Sequence, residues 1–454
     1  MKLIPSSSRD FREHIRVELG NPLDLVIESL ADGQLTIVYL ASIINASDLQ
    51  DNILGPLTEL SLDQARRYGN NGGIVATGIK ERGRICRQDF EAVISDLLDG
   101  RVAIHQSGET SVYTFDTLGA AKRQPTDPNT ERTVRGARIS FVESFRDSIS
   151  MIRSLLKDPS LRIEGLRLGT RTQTNVALIY LAEVADPGLV EEVRLRLKRI
   201  KIDGLINTGY LEQLITDNRR TIFPLTQATE RPDKIIAGLL EGRVALISEG
   251  STHAVIVPTT VNDLYQSPED YYWGFLFGSF LRSFRILGNN LAVALPGLYI
   301  ALLGVNPDLL PVDFVLTVSG SRIGVVFPLV FELLIMEIIV EIFREASLRL
   351  PQPVSQTLGV TAGIVLGIAA VGAGLVSNAT LVVVIVTAIA SYSGPDYGIG
   401  LSWRILKYLL ILAAALGGLI GIVFTGILIL AHAAKQNSFG VSYLAPDTDP
   451  GCGA

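Results

Sequence analysis

Hydrophobic and polar positions divide the chain into two regimes. Up to about residue 275, short β-branched runs such as Thr36-Ile37-Val38-Tyr39 and Val176-Ala177-Leu178-Ile179-Tyr180 alternate with amphipathic stretches such as Leu189 to Ile200. Strand-like runs interleaved with a 3.6-residue period predict an α/β domain. From Ile286 to Ala434 long apolar runs take over. Ile286 to Gly304 carries no charge over about 19 residues, enough to cross a bilayer core at ~1.5 Å per residue. Val312 to about Phe343 is too long for one span and is interrupted by Ser319-Gly320-Ser321-Arg322 and by Pro328, which predicts a broken or re-entrant helix. Gly359 to Val376, Ala379 to Tyr392 and Ile405 to Ala434 follow, so the expectation is a helical membrane domain of about five hydrophobic segments.

Within the first regime the chain echoes itself. Tyr39-Leu40-Ala41 recurs as Tyr180-Leu181-Ala182, and Leu97-Leu98-Asp99-Gly100-Arg101-Val102-Ala103 recurs as Leu239-Leu240-Glu241-Gly242-Arg243-Val244-Ala245. The two offsets agree within one residue, so the α/β domain reads as duplicated. In both copies the Gly follows a helical Leu-Leu run and suits a C-terminal cap before a strand. Leu118 to Arg138, with Pro125, Asp127, Pro128 and Asn129, reads as the linker. The expected units are residues 1–120, 139–275, a membrane domain over 282–435, and a short tail, 436–454. Arg146 and Arg153, off the apolar face of the helix after the linker, read as surface charges. Thr229-Glu230-Arg231-Pro232-Asp233 reads as a helix start in preference to a ligand contact.

Charge and composition narrow the function. With 40 Lys+Arg against 46 Asp+Glu the net charge is −6, which argues against a nucleic-acid surface. Cys86 and Cys452 lack CxxC spacing, so neither a disulfide framework nor a metal cluster is indicated. His14, His105, His253 and His432 share no metal-ligand spacing, Asn70-Asn71-Gly72-Gly73 is a turn without the Gly-Lys-Ser/Thr of a phosphate loop, and no nucleophile elbow occurs. The expectation is a protein without catalytic activity or cofactor. The first residues carry charge where a signal peptide needs an apolar core, and Arg282 and Arg285 precede the first span, so the α/β domain is expected on the cytoplasmic side. Arg344 and Arg349 then fall in one inner loop and Arg404 and Lys407 at another; a re-entrant fourth segment would reverse the side of the tail.

The most informative polar residues lie on the apolar stretch Val325 to Leu350: Glu332, Glu337, Glu341, Arg344 and Glu345. A carboxylate at the bilayer centre costs roughly 2.5–3.5 kcal/mol, so such groups face a bundle interior or water. At 100° per residue Glu337, Glu341, Arg344 and Glu345 share an arc, while Glu332 lies nearly opposite Glu341. Two readings follow: a cation path through Glu332, Glu337 and Glu341, supported by Pro328, Val340, Arg344 and Glu345, or an interfacial amphipathic helix with local ion pairs.

The order of several motifs resembles one family. Gly136-Ala137-Arg138-Ile139-Ser140-Phe141-Val142-Glu143-Ser144, Thr229 to Asp233, Glu269-Asp270-Tyr271-Tyr272, the membrane glutamates with Arg344-Glu345-Ala346 and Leu350-Pro351, and Pro395-x-Tyr397 together resemble the A subunit of GerA-type spore germinant receptors. That resemblance implies a spore inner-membrane protein working with a transporter-like B subunit and a lipoprotein C subunit, assembling as a homo-oligomer into a channel for monovalent cations. The sequence departs from the family near Val326, where a second proline is frequent. A secondary transporter and a membrane-anchored scaffold are the competing readings; a transporter more often repeats its membrane half, and here the repeat lies in the soluble half.

Overall fold

The computed structural model describes residues 2–30, 33–59, 83–117, 127–128, 131, 133, 135–351, 365 and 367–445. Asn70 to Gly73, Gly359, Gly363 and Cys452 lie outside the described residues.

The first copy opens with α1 (Ser8–Leu19), whose Phe11, Ile15 and Leu19 recur every fourth residue and are buried, and which stops at Gly20 with φ 71°. Five strands follow, β1 (Leu25–Leu30), β2 (Leu35–Leu40), β3 (Ile85–Arg87), β4 (Arg101–Gln106) and β5 (Val112–Asp116), with α2 (Phe90–Leu98) before β4. They form one antiparallel sheet in the order β1-β2-β4-β5-β3. The second copy consists of α3 (Phe145–Leu155), β6 (Leu161–Leu168), β7 (Thr174–Leu181), α4 (Pro187–Arg199), α5 (Thr208–Ile215), β8 (Gln227–Thr229), α6 (Pro232–Leu240), β9 (Val244–Ser248) and β10 (Ala254–Val257). Its sheet runs β6-β7-β9-β10-β8, the same order.

Matching details accompany the matching topology. Gly100 and Gly242 both take positive φ, 82° and 81°, where each helix turns into β4 or β9. Tyr39 donates to Glu28 and Tyr180 to Glu164, each at 2.7 Å across the first hairpin of its copy. In the second copy α3 and α6 cover one sheet face and α4 and α5 the other. Strands buried on both faces read as unbroken apolar runs, which explains the strand-like segments of the sequence.

The copies meet through β6. Leu23 donates its amide to the Ile163 carbonyl at 2.9 Å, and Arg153 pairs with Asp24 at 3.2 Å with both side chains buried. Arg153 therefore departs from the surface role expected of it: it neutralises an acid of the other copy, while Arg146 is exposed.

The apolar half differs in part from the expected five hydrophobic segments. Two stretches are long and apolar enough to cross a membrane, Phe275–Val305 (31 residues) and Tyr397–Ala434 (38 residues). The first is α7 (Phe275–Ile300) continued by a π turn, and it begins before Ile286. The long second hydrophobic run is broken, as its sequence indicates, into α8 (Val312–Gly320) and α9 (Leu329–Arg349), the latter entered through Pro328. Next comes α10 (Asn378–Ala390), only 13 residues. The last, α11 (Tyr397–Ala434), is a hairpin rather than one rod. Gly418 takes φ 56° and ψ −139°, and the Phe223 ring lies 6.4 Å from Trp403 and 6.0 Å from His432. A straight helix would separate those two residues by about 43 Å at 1.5 Å per residue. The chain thus reverses at Gly418, where Leu419 donates its amide to Asn306 at 3.1 Å.

Because α11 returns, the tail reaches the α/β domain. Ser438 donates to the Leu225 carbonyl (2.7 Å), Phe439 donates its amide to Asp217 (2.7 Å), and Tyr443 is fully buried. The side of the tail, left dependent on the count of crossings, is the side of the α/β domain.

Candidate functional site

Two polar assemblies stand out, one inside the helical bundle and one where the bundle meets the α/β domain.

In the bundle, α9 presents its acids as a ladder of ion pairs. Glu332, fully buried, accepts from the Ser377 amide and hydroxyl, both at 2.6 Å, and from Arg322 at 3.2 Å. Ser377 caps α10, so this carboxylate also sits at a helix N-terminus, where the dipole favours negative charge. Glu337, 2% exposed, pairs with Lys407 of α11, and its Oε1 has no partner among the described residues. Glu341, with a side chain 37% exposed, takes Arg404 at 3.0 Å and Arg344 at 3.3 Å. Arg344 donates further to Ser391 (2.9 Å) and Tyr392 (3.2 Å). Glu345 pairs with Arg349 at 2.6 Å, both exposed, and Val340 packs partly buried in the apolar cluster around α9.

Each carboxylate therefore has its own cation, and the ladder faces α10 and α11 of the same chain. A buried charge costs several kcal/mol unless paired, so pairing is what permits these acids in an apolar bundle. Arg404 and Lys407 are not loop residues, as the charge pattern indicated; they sit in the first arm of α11, with Lys407 5% exposed. Neither they nor Arg322 were singled out from sequence as partners of the acids. The signal was available, since a cation in an apolar run calls for an anion as much as the reverse.

At the junction the motifs that carry the family resemblance converge. Arg231, fully buried, pairs with Asp233 (2.5 Å) and donates to Thr133 (2.8 Å), and Lys234 pairs with Glu131 at 2.7 Å. Linker residues are thereby clasped to the start of α6, a role beyond the helix start expected of Thr229 to Asp233. Burial alone would lower the Arg231 guanidinium, but its Asp233 pair holds it above the ordinary value. Tyr272 donates to Asp233 (3.2 Å), and its phenol is pushed up by burial and then by that carboxylate. A Cβ on Gly136 would meet the Tyr272 ring at 2.6 Å, so any other residue there would have to displace that ring. Asp270 pairs with Arg285 of α7, and Asp396 caps α11 by accepting the Ile399 amide at 3.1 Å. A cleft of about 480 Å³ lies between these parts, lined by Arg231, Lys234, Glu269, Arg285 and Ser393. Within the α/β domain, burial raises the Glu212 carboxyl above its usual range.

Comparison with known proteins matches the model of the family described as Bacillus/Clostridium GerA spore germination protein over residues 13–450. Spore germination protein KA of Bacillus subtilis is 32% identical over 447 residues, 97% of this chain and 82% of that protein. Spore germination protein GerLA of Bacillus cereus is 35% identical, over 96% of this chain and 89% of its own length. Spore germination protein A1 of Bacillus subtilis is 38% identical, over 78% and 73%. A crystal structure of the N-terminal domain of the A subunit of the Bacillus megaterium spore germinant receptor GerK3 aligns at 27% identity and TM-score 0.44, covering 56% of this chain and 96% of that one.

Proposed function

The chain belongs to the Bacillus/Clostridium GerA spore germination protein family, and we propose that it is the A subunit of a nutrient germinant receptor. In this reading it resides in the spore inner membrane with the α/β domain in the cytoplasm, works beside a transporter-like B subunit and a lipoprotein C subunit, and assembles as a homo-oligomer that conducts monovalent cations on stimulation. It acts without catalysis. The observation that carries the proposal is the ladder Glu332, Glu337 and Glu341, acids held in an apolar bundle by Arg322, Lys407 and Arg404. Pairing neutralises each step at rest. Conduction requires the Glu337 and Glu341 pairs to part so that water and cations replace Lys407 and Arg404.

Flux measured in vesicles containing the reconstituted receptor tests this. Glu337→Gln and Glu341→Gln reduce stimulated cation flux while the assembly stays intact. Unchanged flux and selectivity in both variants, at normal protein levels, removes the pore assignment. That result would favour the second reading, a membrane-anchored signalling subunit without its own pore, for which the internal pairing of Glu332 and Glu337 speaks.

A further inference from the structure

A groove of about 520 Å³ runs between the two arms of α11 on the outside of the bundle. Its walls are apolar, with Leu409, Leu412, Leu416 and Leu428 exposed by 44%, 59%, 81% and 53%. From Leu406 to Leu416 it extends about 15 Å at 1.5 Å per residue. That is half of a hydrocarbon core of about 30 Å, the thickness of one leaflet.

Chemistry changes at the end nearest the α/β domain. Arg220 and His432 line the mouth, with His432 bonded to Thr221 at 3.1 Å and stacked on Phe223. Lys435 follows within one helical turn. Among the described residues no carboxylate lies within 4.0 Å of Arg220 or Lys435. Asp217, nearby in sequence, is taken by Arg196 at 2.6 Å and by the Phe439 amide. Uncompensated cations therefore stand at the mouth of an apolar groove of leaflet length (Arg220) and one helical turn beyond His432 in sequence (Lys435).

We propose that this groove holds an anionic phospholipid of the leaflet on the α/β-domain side, with its phosphate on Arg220 and Lys435 and an acyl chain along Leu406 to Leu416. A basic pocket at this level of a helical membrane protein selects acidic headgroups, because each cation near the surface strengthens binding while a zwitterionic headgroup carries its own compensating ammonium. The inference rests on α11 facing lipid, which is part of the membrane reading above.

Trp403 lies beside the mouth, and the chain has only one other tryptophan, Trp273. In full-length protein carrying Trp273→Phe, reconstituted in phosphatidylcholine vesicles, Trp403 fluorescence is titrated with brominated phosphatidylglycerol and separately with brominated phosphatidylcholine. The expected result is preferential quenching by phosphatidylglycerol, by about fivefold for each cation engaged. Arg220→Gln with Lys435→Gln, both exposed positions, should bring the preference close to one while quenching by phosphatidylcholine persists. Equal quenching by both lipids in the unsubstituted site, or a preference that survives the two substitutions, overturns the site. Loss of the preference in inorganic phosphate but not in sodium chloride of equal ionic strength also overturns it, by showing a free-anion site instead. Absence of quenching by either lipid overturns it differently, by showing that α11 does not face lipid at all.

Discussion

Lys407→Met separates the energetics of the ladder from its shape. Methionine keeps most of the side-chain length but leaves the Glu337 carboxylate, 2% exposed and already short of a partner for Oε1, without its cation. Breaking a buried pair by removing one partner costs about 3–5 kcal/mol, whereas replacing both partners by apolar groups is often neutral or stabilising. At about 1.4 kcal/mol per tenfold, the single substitution should lower the folding equilibrium by roughly two to three and a half orders of magnitude. Glu337→Leu alone, which strands Lys407, should cost a similar amount. The double variant should recover most of the loss, so that the coupling within the cycle approaches the sum of the two single costs. The assay is reversible unfolding of the purified full-length protein in micelles, read for all four members of the cycle, with hydrogen exchange in α9 as a local measure. Additive losses, with the double variant as unstable as the two singles combined, would refute the reasoning, because Glu337 and Lys407 would then not depend on one another.

Three further outcomes are expected. Cysteines introduced by Leu409→Cys and Leu428→Cys, in a background free of Cys86 and Cys452, should cross-link with a short reagent because both line the groove of the α11 hairpin; a straight helix would hold them about 28 Å apart and prevent it. His105 is buried against Phe11, and burial lowers its pKa, so folding favours the neutral ring. Its contribution is complete above the unfolded value of about 6.5 and is lost as pH falls below that through the folded value, so exchange protection of β4 should weaken with acidification over that window, and His105→Gln should flatten the dependence. Gly136→Ala should destabilise the junction by about 1–3 kcal/mol, since Gly136 has φ 126° and abuts Tyr272; a Tyr272→Ala background should relieve only the steric part, and thermal unfolding of the four variants decides it.

The two regimes, the duplication and the acids of α9 were legible in the residues alone. Local patterning carries these, because alternation, helical period and the length of an apolar run depend on neighbours within one or two turns. The echoed Leu-Leu-acid-Gly segments mark the same step of each sheet, and Gly100 and Gly242 show the reason, a left-handed residue between helix and strand. Motif order also carried the family. The pairings that only the folded chain reveals lie across long separations. The partner of Glu337 is 70 residues away and that of Arg153 129 residues away, and periodicity holds no information on which apolar faces meet. The same limit turned Arg404 and Lys407 into expected loop charges. The reversal at Gly418 escaped because glycine in an apolar helix is as consistent with close packing as with a turn. Only the return of His432 to Phe223, beside Trp403, distinguishes them, and that return brings the tail back to the α/β domain.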